Sequence, residues 1–263
     1  MKGNYSSKIG KDRILVLGAG GFSGRCLISK LVTLDFEIHA CDIKFNADLN
    51  FNKILIHKID LADIKSLKNL LKLIRPHYVI NLCGIYTAED FNFLYRINVE
   101  VSQRILDWAY KPGKEIVRKI LFIGSAAEYG IPKKNPIKET TSLNPVSLYG
   151  LSKALQTNIS IYYGQHCGVP VSIARTFNLL GDDLPESLAL GRWQRIIKEA
   201  KNGDTINVGN LMHLRDYISI EQATKAYLTI LMAGKAGEVY NVCSGKPIRM
   251  GVLLDNMISD SGK

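Results

Sequence analysis

The stretch RILVLGAGGFSG, residues 13–24, decides how the rest of the chain is interpreted. Its first half is an apolar, β-rich run. Three glycines follow at three-residue spacing, where a helical pattern begins: Gly18, Gly21 and Gly24. Glycines at such a strand-to-helix turn let the backbone approach a pyrophosphate, and the helix N-terminus adds N–H donors and partial positive charge. The stretch therefore predicts a dinucleotide-binding turn, with Phe22 and Ser23 at the helix start as further cofactor contacts.

Strand-like and helix-like segments alternate after this turn. Short β-rich runs lie at 13–18, 36–42, 53–60, 78–84, 119–125 and 169–175. Helical patterns lie at 63–74, 92–110 and 145–166. This alternation predicts right-handed crossovers and a parallel sheet with helices on both faces. The expected fold class is α/β: a doubly wound parallel Rossmann sheet with a smaller α/β substrate-binding lobe at the C-terminus.

After the sixth β-rich run the regular alternation of strands and long helices ends, and loops mix with short helices and strands. We therefore expect an NAD(P)-binding Rossmann domain over 12–178 and a smaller lobe over 179–263. The chain ends soon after a helical pattern begins near Met250, so the sequence leaves open whether this lobe is complete.

Composition argues against several classes of protein. Of the 263 residues, 46% are apolar and 22% are charged, which is typical of a globular chain. No apolar run approaches the ~20 residues of a membrane-spanning helix, and the polar N-terminus lacks the apolar centre of a secretion signal. We therefore expect a cytoplasmic protein that does not bind membranes.

The net charge of +10 suits either a nucleic-acid partner or an anionic substrate. Only Pro132–Pro136, PKKNP, looks like a basic cluster, and no recognition motif is visible, so we expect no nucleic-acid partner. The five cysteines are scattered, with no C-x-x-C pair and no Cys/His cluster at zinc spacing. We therefore expect free thiols and no metal site.

Polar side chains follow the next strands at the edge where open α/β sheets bind ligands. Asp42 ends the second strand, where a carboxylate bonds ribose hydroxyls and repels a 2′-phosphate. NAD is therefore favoured, although Lys44 and Lys53 nearby leave NADP open. Asp60 ends the third strand and suits the adenine amino group and a helix cap equally well. The remaining candidates for cofactor contact are Leu61, Asn81, Leu82 and Cys83.

A hydroxyl, a phenol and an amine complete the predicted site. Ser125 ends the fifth strand, and Tyr149 and Lys153 are four residues apart on one face of the following helix. A lysine charge lowers a tyrosine pKa, and the tyrosine then exchanges a proton with a substrate oxygen that the serine also contacts. Lys153 would also bind the nicotinamide ribose of a hydride-transferring cofactor. A chance pair on a solvated helix is common, but the glycine turn and Ser125 disfavour that interpretation.

With these motifs, and with ARTFNLLG (174–181) and LRDYI (214–218), the chain resembles the extended short-chain dehydrogenase/reductase family over residues 13–258. That family comprises nucleotide-sugar epimerases, dehydratases and reductases. The resemblance implies an NAD or NADP cofactor and a nucleotide-diphosphate sugar as substrate. It also implies a homodimer formed by the helices at 92–110 and 145–166.

The resemblance further assigns roles to single residues. It makes Ser125, Tyr149 and Lys153 the catalytic triad, with Ser125 and Tyr149 contacting substrate and Tyr149 and Lys153 contacting cofactor. It also makes Asn98 a conformational support on the helix after strand four. Thr176 and Phe177 would lie near the nicotinamide, and Asn178 and Arg215 would contact the nucleotide diphosphate. Arg192 is a further substrate candidate that a helix surface would explain equally well.

Two alanines after Ser125 narrow the reaction. Dehydratases of the family carry an acidic pair, or at least a glutamate, directly after the strand-end hydroxyl, whereas this chain has Ala126 and Ala127. Glu128 comes one residue later, where the turn points a side chain elsewhere, so dehydration is disfavoured. The first hypothesis is reduction of a 4-keto-6-deoxy-hexose, and the second is a 4-epimerase, which Asp42 favours because it suits a tight NAD site. A non-catalytic dinucleotide sensor is the third.

Overall fold

A computed structural model describes residues 11–45, 53–88, 90–201 and 203–262; the polar N-terminus at 1–10 lies outside them. Within these ranges the strands are β1 (Asp12–Leu17), β2 (Phe36–Asp42), β3 (Ile54–Lys58), β4 (Tyr78–Asn81), β5 (Lys119–Ser125), β6 (Val171–Thr176), β7 (Asn178–Leu180), β8 (Leu214–Ser219), β9 (Val239–Val242) and β10 (Pro247–Arg249). A large parallel sheet has the order β3-β2-β1-β4-β5-β6-β9. The order reverses beside β1, which creates the crevice where such sheets bind ligands.

Helices lie on both faces of the large sheet and in a smaller unit beyond β6. They are α1 (Phe22–Leu31), α2 (Ile64–Ile74), α3 (Phe91–Leu94), α4 (Val101–Tyr110), α5 (Leu148–His166), α6 (Ala189–Glu199), α7 (Ile220–Ala233) and α8 (Met250–Asp260). One face packs against α1 and α7, and the other packs against α2, α4 and α5. The predicted doubly wound α/β fold is therefore confirmed.

The central strand β1 requires both layers of helices. Ile14 and Val16 face the α1 side, Leu15 and Leu17 face the α2 side, and all four are fully buried. Successive side chains of a strand point to opposite faces, so a continuous apolar run can be buried only between two layers. The apolar run in the sequence thus specifies an interior strand, and that strand carries the glycine turn.

The predicted helix at 92–110 is interrupted in the structure. A π-helical segment, Tyr95–Glu100, separates α3 from α4. It buries Asn98, whose side chain accepts a hydrogen bond from Ile85 N (2.9 Å) and donates one to Ile85 O (3.1 Å). Asn98 therefore holds the loop after β4, which fits the supporting role that the resemblance implies. Apolar periodicity missed the interruption because a single wide turn shifts the pattern only slightly.

A smaller unit lies beyond β6. β8 pairs in parallel with β7 and antiparallel with β10, while α6 and α8 pack around an apolar core that includes Trp193 and Leu254. Between β8 and β10 the chain returns to the large sheet, because α7 packs on it and β9 pairs with β6. No local pattern in the sequence predicted this return. The division of the chain into a Rossmann domain at 12–178 and a substrate-binding lobe at 179–263 remains a prediction. By their contacts, however, α7 and β9 belong to the large sheet.

No helix in the described ranges is both long and apolar enough to cross a membrane. All five cysteines are free thiols, as predicted. Within the same part of the chain, no group of three or more His, Cys, Asp or Glu side chains is arranged to hold a metal ion.

Candidate active site at the carboxyl ends of the strands

The glycine turn connects β1 to α1 at the carboxyl edge of the large sheet. Gly18 has a φ of +76°, and a Cβ there would lie 2.9 Å from Cys83 N. A Cβ on Gly24 would overlap the carbonyl oxygen of Gly18. Both positions therefore require glycine, one for its backbone conformation and one for the close approach of helix and strand.

The N-terminus of α1 offers the donors that an anion needs. Gly21 is its N-cap residue, Phe22 and Ser23 begin its first turn, and no side chain among the described residues caps it. The first N–H groups of a helix have no intrahelical partner, and the helix dipole places partial positive charge beside them. Contact of these residues with a cofactor remains a prediction, and the uncapped helix end provides suitable geometry for it.

Asp42 lies at the end of β2, beside the glycine turn. Its Oδ2 accepts a hydrogen bond from Gly20 N at 2.9 Å, and its Oδ1 accepts one from Ile43 N at 2.7 Å. The carboxylate is thus fixed where sequence analysis expects ribose hydroxyls to bind. A fixed negative charge at this position disfavours a 2′-phosphate, even though Lys44 and Lys53 lie exposed nearby in the sequence.

Asp60 follows β3 and is exposed. Its Oδ1 accepts a hydrogen bond from Ala62 N at 2.8 Å, whereas the N-cap of α2 is Asp63, which accepts from Lys65 N. The helix-cap interpretation of Asp60 is therefore wrong, because another aspartate three residues later performs that role. Contact between Asp60 and an adenine remains a prediction.

The other residues predicted to contact the cofactor, at the ends of β3 and β4, direct their side chains towards the protein interior. Leu61 is buried in the core beneath α2. The Asn81 side chain donates to Ser102 Oγ and accepts from Cys83 N, both at 3.0 Å, which shapes the chain after β4. Leu82 and Cys83 pack against the cores on opposite faces of the sheet. These residues could therefore meet a cofactor mainly through their backbone.

The three predicted catalytic side chains converge at the end of β5. The Ser125 hydroxyl lies close enough to the Tyr149 phenol to lower the pKa of that phenol, and it accepts a hydrogen bond from Ala127 N at 3.2 Å. Tyr149 and Lys153 lie one turn apart on α5. Lys153 is only 3% exposed, and a Cβ on Gly84 would lie 3.8 Å from its Nζ, so the amine lies beside the end of β4.

Burial controls the protonation of this group. Burial lowers the pKa of Lys153 to about 8, and the negative charge of Glu128 opposes that shift. Burial also raises the pKa of Tyr149, the neighbouring Tyr86 raises it further, and the hydrogen bond from Ser125 lowers it. The direction of the Tyr149 shift is opposite to the predicted one, because desolvation of the phenolate outweighs the attraction expected from Lys153.

Glu128 faces the interior of the protein. It belongs to a 3-10 turn, Ala126–Tyr129, and is completely buried (0% exposed). Its Oε1 accepts a hydrogen bond from Ser125 N at 2.8 Å, and its Oε2 accepts one from Arg175 Nε at 2.9 Å. The shift by one residue from the dehydratase pattern thus directs this carboxylate away from solvent and into an ion pair.

Two tyrosines that sequence analysis did not select lie at the site. The Tyr86 ring packs on Tyr149, with ring centroids 5.2 Å apart and planes tilted by 49°. Tyr227 on α7 is fully buried, and its hydroxyl lies 2.9 Å from Thr176 Oγ1. The only sequence signal for Tyr86 is its position two residues after Gly84. Tyr227 has no sequence signal, because α7 was not expected to return to the large sheet.

The predicted substrate contacts extend from β6 into the smaller unit. Thr176 ends β6 in register with Ser125. Asn178 Nδ2 donates to the carbonyl oxygen of Asp216 at 2.9 Å and thereby links β7 to β8. Arg215 on β8 and Arg192 on α6 are exposed, and Arg192 borders an open cleft between α6 and the start of α8. Their roles in binding substrate stay predictions.

The model of the NAD dependent epimerase/dehydratase family matches residues 14–243. The chain belongs to this family. GDP-6-deoxy-D-mannose reductase from Pseudomonas aeruginosa is 30% identical over 253 residues, which are 93% of this chain and 78% of the relative. UDP-glucose 4-epimerase from Lactobacillus helveticus is 32% identical over 146 residues, 48% of this chain and 43% of the relative.

Among solved structures, RMD from Pseudomonas aeruginosa complexed with NADPH matches with a TM-score of 0.79 and 26% identity, covering 95% of this chain and 84% of that one. The resemblance to extended short-chain dehydrogenases and reductases is therefore confirmed. Members of the family are NAD(P)-dependent enzymes that modify nucleotide sugars, and both reductases and epimerases occur among the relatives of this chain.

Proposed function

We propose that this protein is an NAD(P)-dependent oxidoreductase that reduces the 4-keto group of a nucleotide-activated 6-deoxy-hexose. The observation that carries the proposal is the convergence of Ser125, Tyr149 and Lys153 beside the glycine turn, with Glu128 withdrawn into the interior. This set supplies a proton donor and an oxygen-binding hydroxyl but no second acid or base. Similarity to GDP-6-deoxy-D-mannose reductase over 93% of the chain supports the same reaction.

The residues present fit a dinucleotide. Glycine at positions 18 and 24 allows the tight turn from β1 into α1, and the N-terminus of α1, which has no side-chain cap among the described residues, provides N–H donors for a pyrophosphate. The Asp42 carboxylate would bind ribose hydroxyls, and the buried Lys153 amine beside β4 would bind the nicotinamide ribose. When bound, NAD(P)H supplies the hydride.

Ser125, Tyr149 and Lys153 would then manage the proton and the substrate oxygen. The raised pKa of Tyr149 keeps the phenol protonated at neutral pH, so that it can donate a proton to the carbonyl oxygen. Ser125 lies near the Tyr149 phenol and would hold the same oxygen. Lys153, with its pKa near 8, is mostly ammonium at neutral pH and would favour the tyrosinate that forms.

Dehydration is disfavoured by the turn after Ser125. Eliminating water from a sugar requires an acid and a base in addition to hydride transfer. Ala126 and Ala127 carry neither, and the Glu128 carboxylate is bound to Arg175 and Ser125 N in the interior. The same observations are compatible with a 4-epimerase, which also needs one hydride and one proton.

The smaller unit would bind the nucleotide diphosphate. Arg215 and Arg192 are exposed guanidinium groups, which suit phosphate oxygens because each presents several donors in one plane. Asn178 would lie nearby at the start of β7, although its amide is bonded to β8. The names of the relatives, which include GDP- and UDP-sugar enzymes, support a nucleotide-diphosphate sugar and leave the base open.

The alternative function is an NAD-dependent 4-epimerase. The observation that favours it is the fixed carboxylate of Asp42 beside the glycine turn, which suits a retained NAD better than an exchanging NADP(H). A non-catalytic dinucleotide sensor is a further alternative, but the presence of Ser125, Tyr149 and Lys153 together in the sequence disfavours it.

The proposal includes a cytoplasmic homodimer formed through α4 and α5. Tyr110, Leu151 and Tyr162 are large apolar side chains that remain exposed on these helices, and aromatic residues are enriched at protein interfaces. Five free thiols suit the reducing cytoplasm. Light scattering should give the dimer mass at micromolar concentration and the monomer mass for Leu151→Glu; a wild-type monomer would refute the dimer.

Tyr149→Phe tests whether the site is catalytic. The substitution removes one hydroxyl and keeps the ring that packs on Tyr86. We expect turnover to fall by about 10²–10⁴-fold while the affinity for cofactor stays within about threefold of the wild type, because general acid catalysis contributes about that factor. Unchanged turnover would refute the triad.

A further inference from the structure

Glu128 and Arg175 form a completely enclosed ion pair behind Ser125. Glu128 is 0% and Arg175 is 2% exposed. Arg175 Nη1 also donates to the Tyr129 hydroxyl at 2.7 Å, and that hydroxyl donates to Asn241 Oδ1 at 2.7 Å. The turn after Ser125 is thereby tied to β6 and to the edge strand β9.

Burying this ion pair carries an unfavourable free energy that simpler ways of stabilising a turn avoid. Removing two charges from water carries a large desolvation penalty, and well-packed apolar replacements of buried ion pairs are often at least as stable. Stability alone therefore gives a weak reason for the pair. Its contacts suggest another reason, because one carboxylate oxygen bonds the backbone N–H of Ser125.

The packing around Glu128 is adapted to that contact. A Cβ on Gly124 would lie 2.6 Å from Glu128 Oε1, so glycine at this position leaves the space that the carboxylate occupies. Ser125 and Glu128 form a reciprocal capping box, in which the serine caps the turn and the glutamate bonds the serine backbone. The position of the Ser125 hydroxyl thus depends on Glu128.

We propose that Glu128, anchored by Arg175, is a positioning residue that orients Ser125 for reaction and maintains a negative charge behind Tyr149 and Lys153. The inference rests on the proposed function, in which Ser125 holds the substrate oxygen. Glu128 is no catalytic residue, because it is enclosed and acts through Ser125 and through its charge. The same interaction removes the carboxylate from the cleft, so orientation of Ser125 and loss of dehydratase chemistry have one structural cause.

The charge of Glu128 faces ionisable groups from two elements. Arg175 lies on β6, and Tyr149 and Lys153 lie on α5. Glu128 raises the pKa of both Tyr149 and Lys153, whereas burial raises the pKa of Glu128, and Arg175 and the Ser125 N–H oppose that increase. Loss of this negative charge should therefore lower the pKa of Lys153.

Two double variants separate positioning from stability. Glu128→Gln with Arg175→Met, and Glu128→Met with Arg175→Met, both remove the buried charges without leaving one unpaired. Only the glutamine keeps an oxygen that can accept from Ser125 N–H. Leu70→Ala, in the core beneath α2, serves as a control that loses stability at a distance from the site.

We expect Glu128→Met with Arg175→Met to lower kcat about 10²-fold while KM changes by less than about threefold. The Ser125 amide hydrogen should exchange at least about tenfold faster in this variant than in the wild type. Glu128→Gln with Arg175→Met should retain slow exchange of the Ser125 amide hydrogen and most of the wild-type kcat. In both variants the loss of activity at high pH should begin at lower pH than in the wild type. Leu70→Ala should lose thermal stability and keep the wild-type kcat and pH profile.

Equal kcat in the two double variants, with the Ser125 amide exchanging alike in both, would overturn the positioning role. An unchanged pH profile would overturn the electrostatic role. If the wild type fails to reduce any 4-keto sugar nucleotide, the proposed function is refuted by that result alone. Amide exchange at Ser125 and the titration of ¹³C-labelled Lys153 by NMR then decide the contribution of Glu128 without any substrate.

Discussion

Asp42 Oδ2 accepts a hydrogen bond from Gly20 N at 2.9 Å, and this bond joins the end of β2 to the glycine turn. The carboxylate also accepts from Ile43 N, so it is held by two backbone donors on neighbouring segments. Its negative charge therefore occupies a fixed place next to the site proposed for the adenosine ribose. Cofactor selectivity should follow from that charge.

Asp42→Asn should shift selectivity from NAD(H) towards NADP(H). The amide oxygen can still accept from one of the two backbone N–H groups that bind Asp42, but the repulsion of a 2′-phosphate disappears. We expect the ratio of kcat/KM for NADPH to that for NADH to rise about tenfold, equivalent to about 1.4 kcal/mol.

Asp60→Asn provides the control for this experiment, because Asp60 is another carboxylate at a strand end and is proposed to contact adenine, which both cofactors share. It should weaken both cofactors equally and leave the ratio unchanged. A ratio that is unaffected by Asp42→Asn would contradict the assignment of Asp42 to the ribose.

The pKa of Lys153 predicts how activity depends on pH. Burial lowers this pKa to about 8, so the ammonium form is lost as the pH rises through that value. Reduction requires the charged lysine and the protonated Tyr149, whose raised pKa keeps it protonated over the same range. We therefore expect kcat/KM for the reduction to fall as the pH increases through about 8.

Lys153→Arg tests the origin of that decrease. An arginine remains charged at every accessible pH, so the decrease near pH 8 should disappear even if the overall rate is lower. A decrease that persists in this variant would assign the titration to another group.

Tyr86 should contribute through its ring. The ring packs on the Tyr149 ring at a centroid distance of 5.2 Å and would hold that ring in place. Tyr86→Ala should lower kcat/KM by about tenfold, or about 1.4 kcal/mol, whereas Tyr86→Phe should stay within about twofold. If Tyr86→Phe is as impaired as Tyr86→Ala, the hydroxyl rather than the ring carries the contribution.

Glu128→Gln alone should destabilise the fold strongly. It leaves the Arg175 guanidinium buried without its partner, and breaking a buried pair in this way costs about 3–5 kcal/mol. Urea unfolding should show that loss, and Glu128→Gln with Arg175→Met should recover most of it.

Glu100→Gln is the matched control, because Glu100 pairs with Arg104 along one helical face and both side chains are partly exposed. Its effect on the free energy of unfolding should stay below about 1 kcal/mol. A similar cost for the two single variants would show that burial of the Glu128 pair has no special energetic role.

The sequence predicted the elements whose signals are local. The strands at 36–42 and 119–125 agree with β2 and β5 to the residue, and the helix at 63–74 agrees with α2 within one residue. In each case an apolar run or an amphipathic period occupies the whole element. The glycine turn was equally local, because strand, glycines and helix are consecutive.

Features that depend on distant residues could not be predicted in this way. Strand β9 has four residues and is defined by pairing with β6, about 65 positions earlier in the chain. The contact between Glu128 and Arg175 spans 47 positions. No period or motif within a short window encodes such pairs, so the return of the chain to the large sheet and the ion pair behind Ser125 required the structure.

The most direct test of the central claim is to assay purified protein with GDP-4-keto-6-deoxymannose and either NADH or NADPH while recording nicotinamide absorbance, after measuring how much NAD the denatured protein releases. The account predicts little released NAD and the loss of one reduced nicotinamide for each sugar consumed. Stoichiometric NAD released from the protein, with no net loss of absorbance, would contradict the reductase and establish the epimerase alternative.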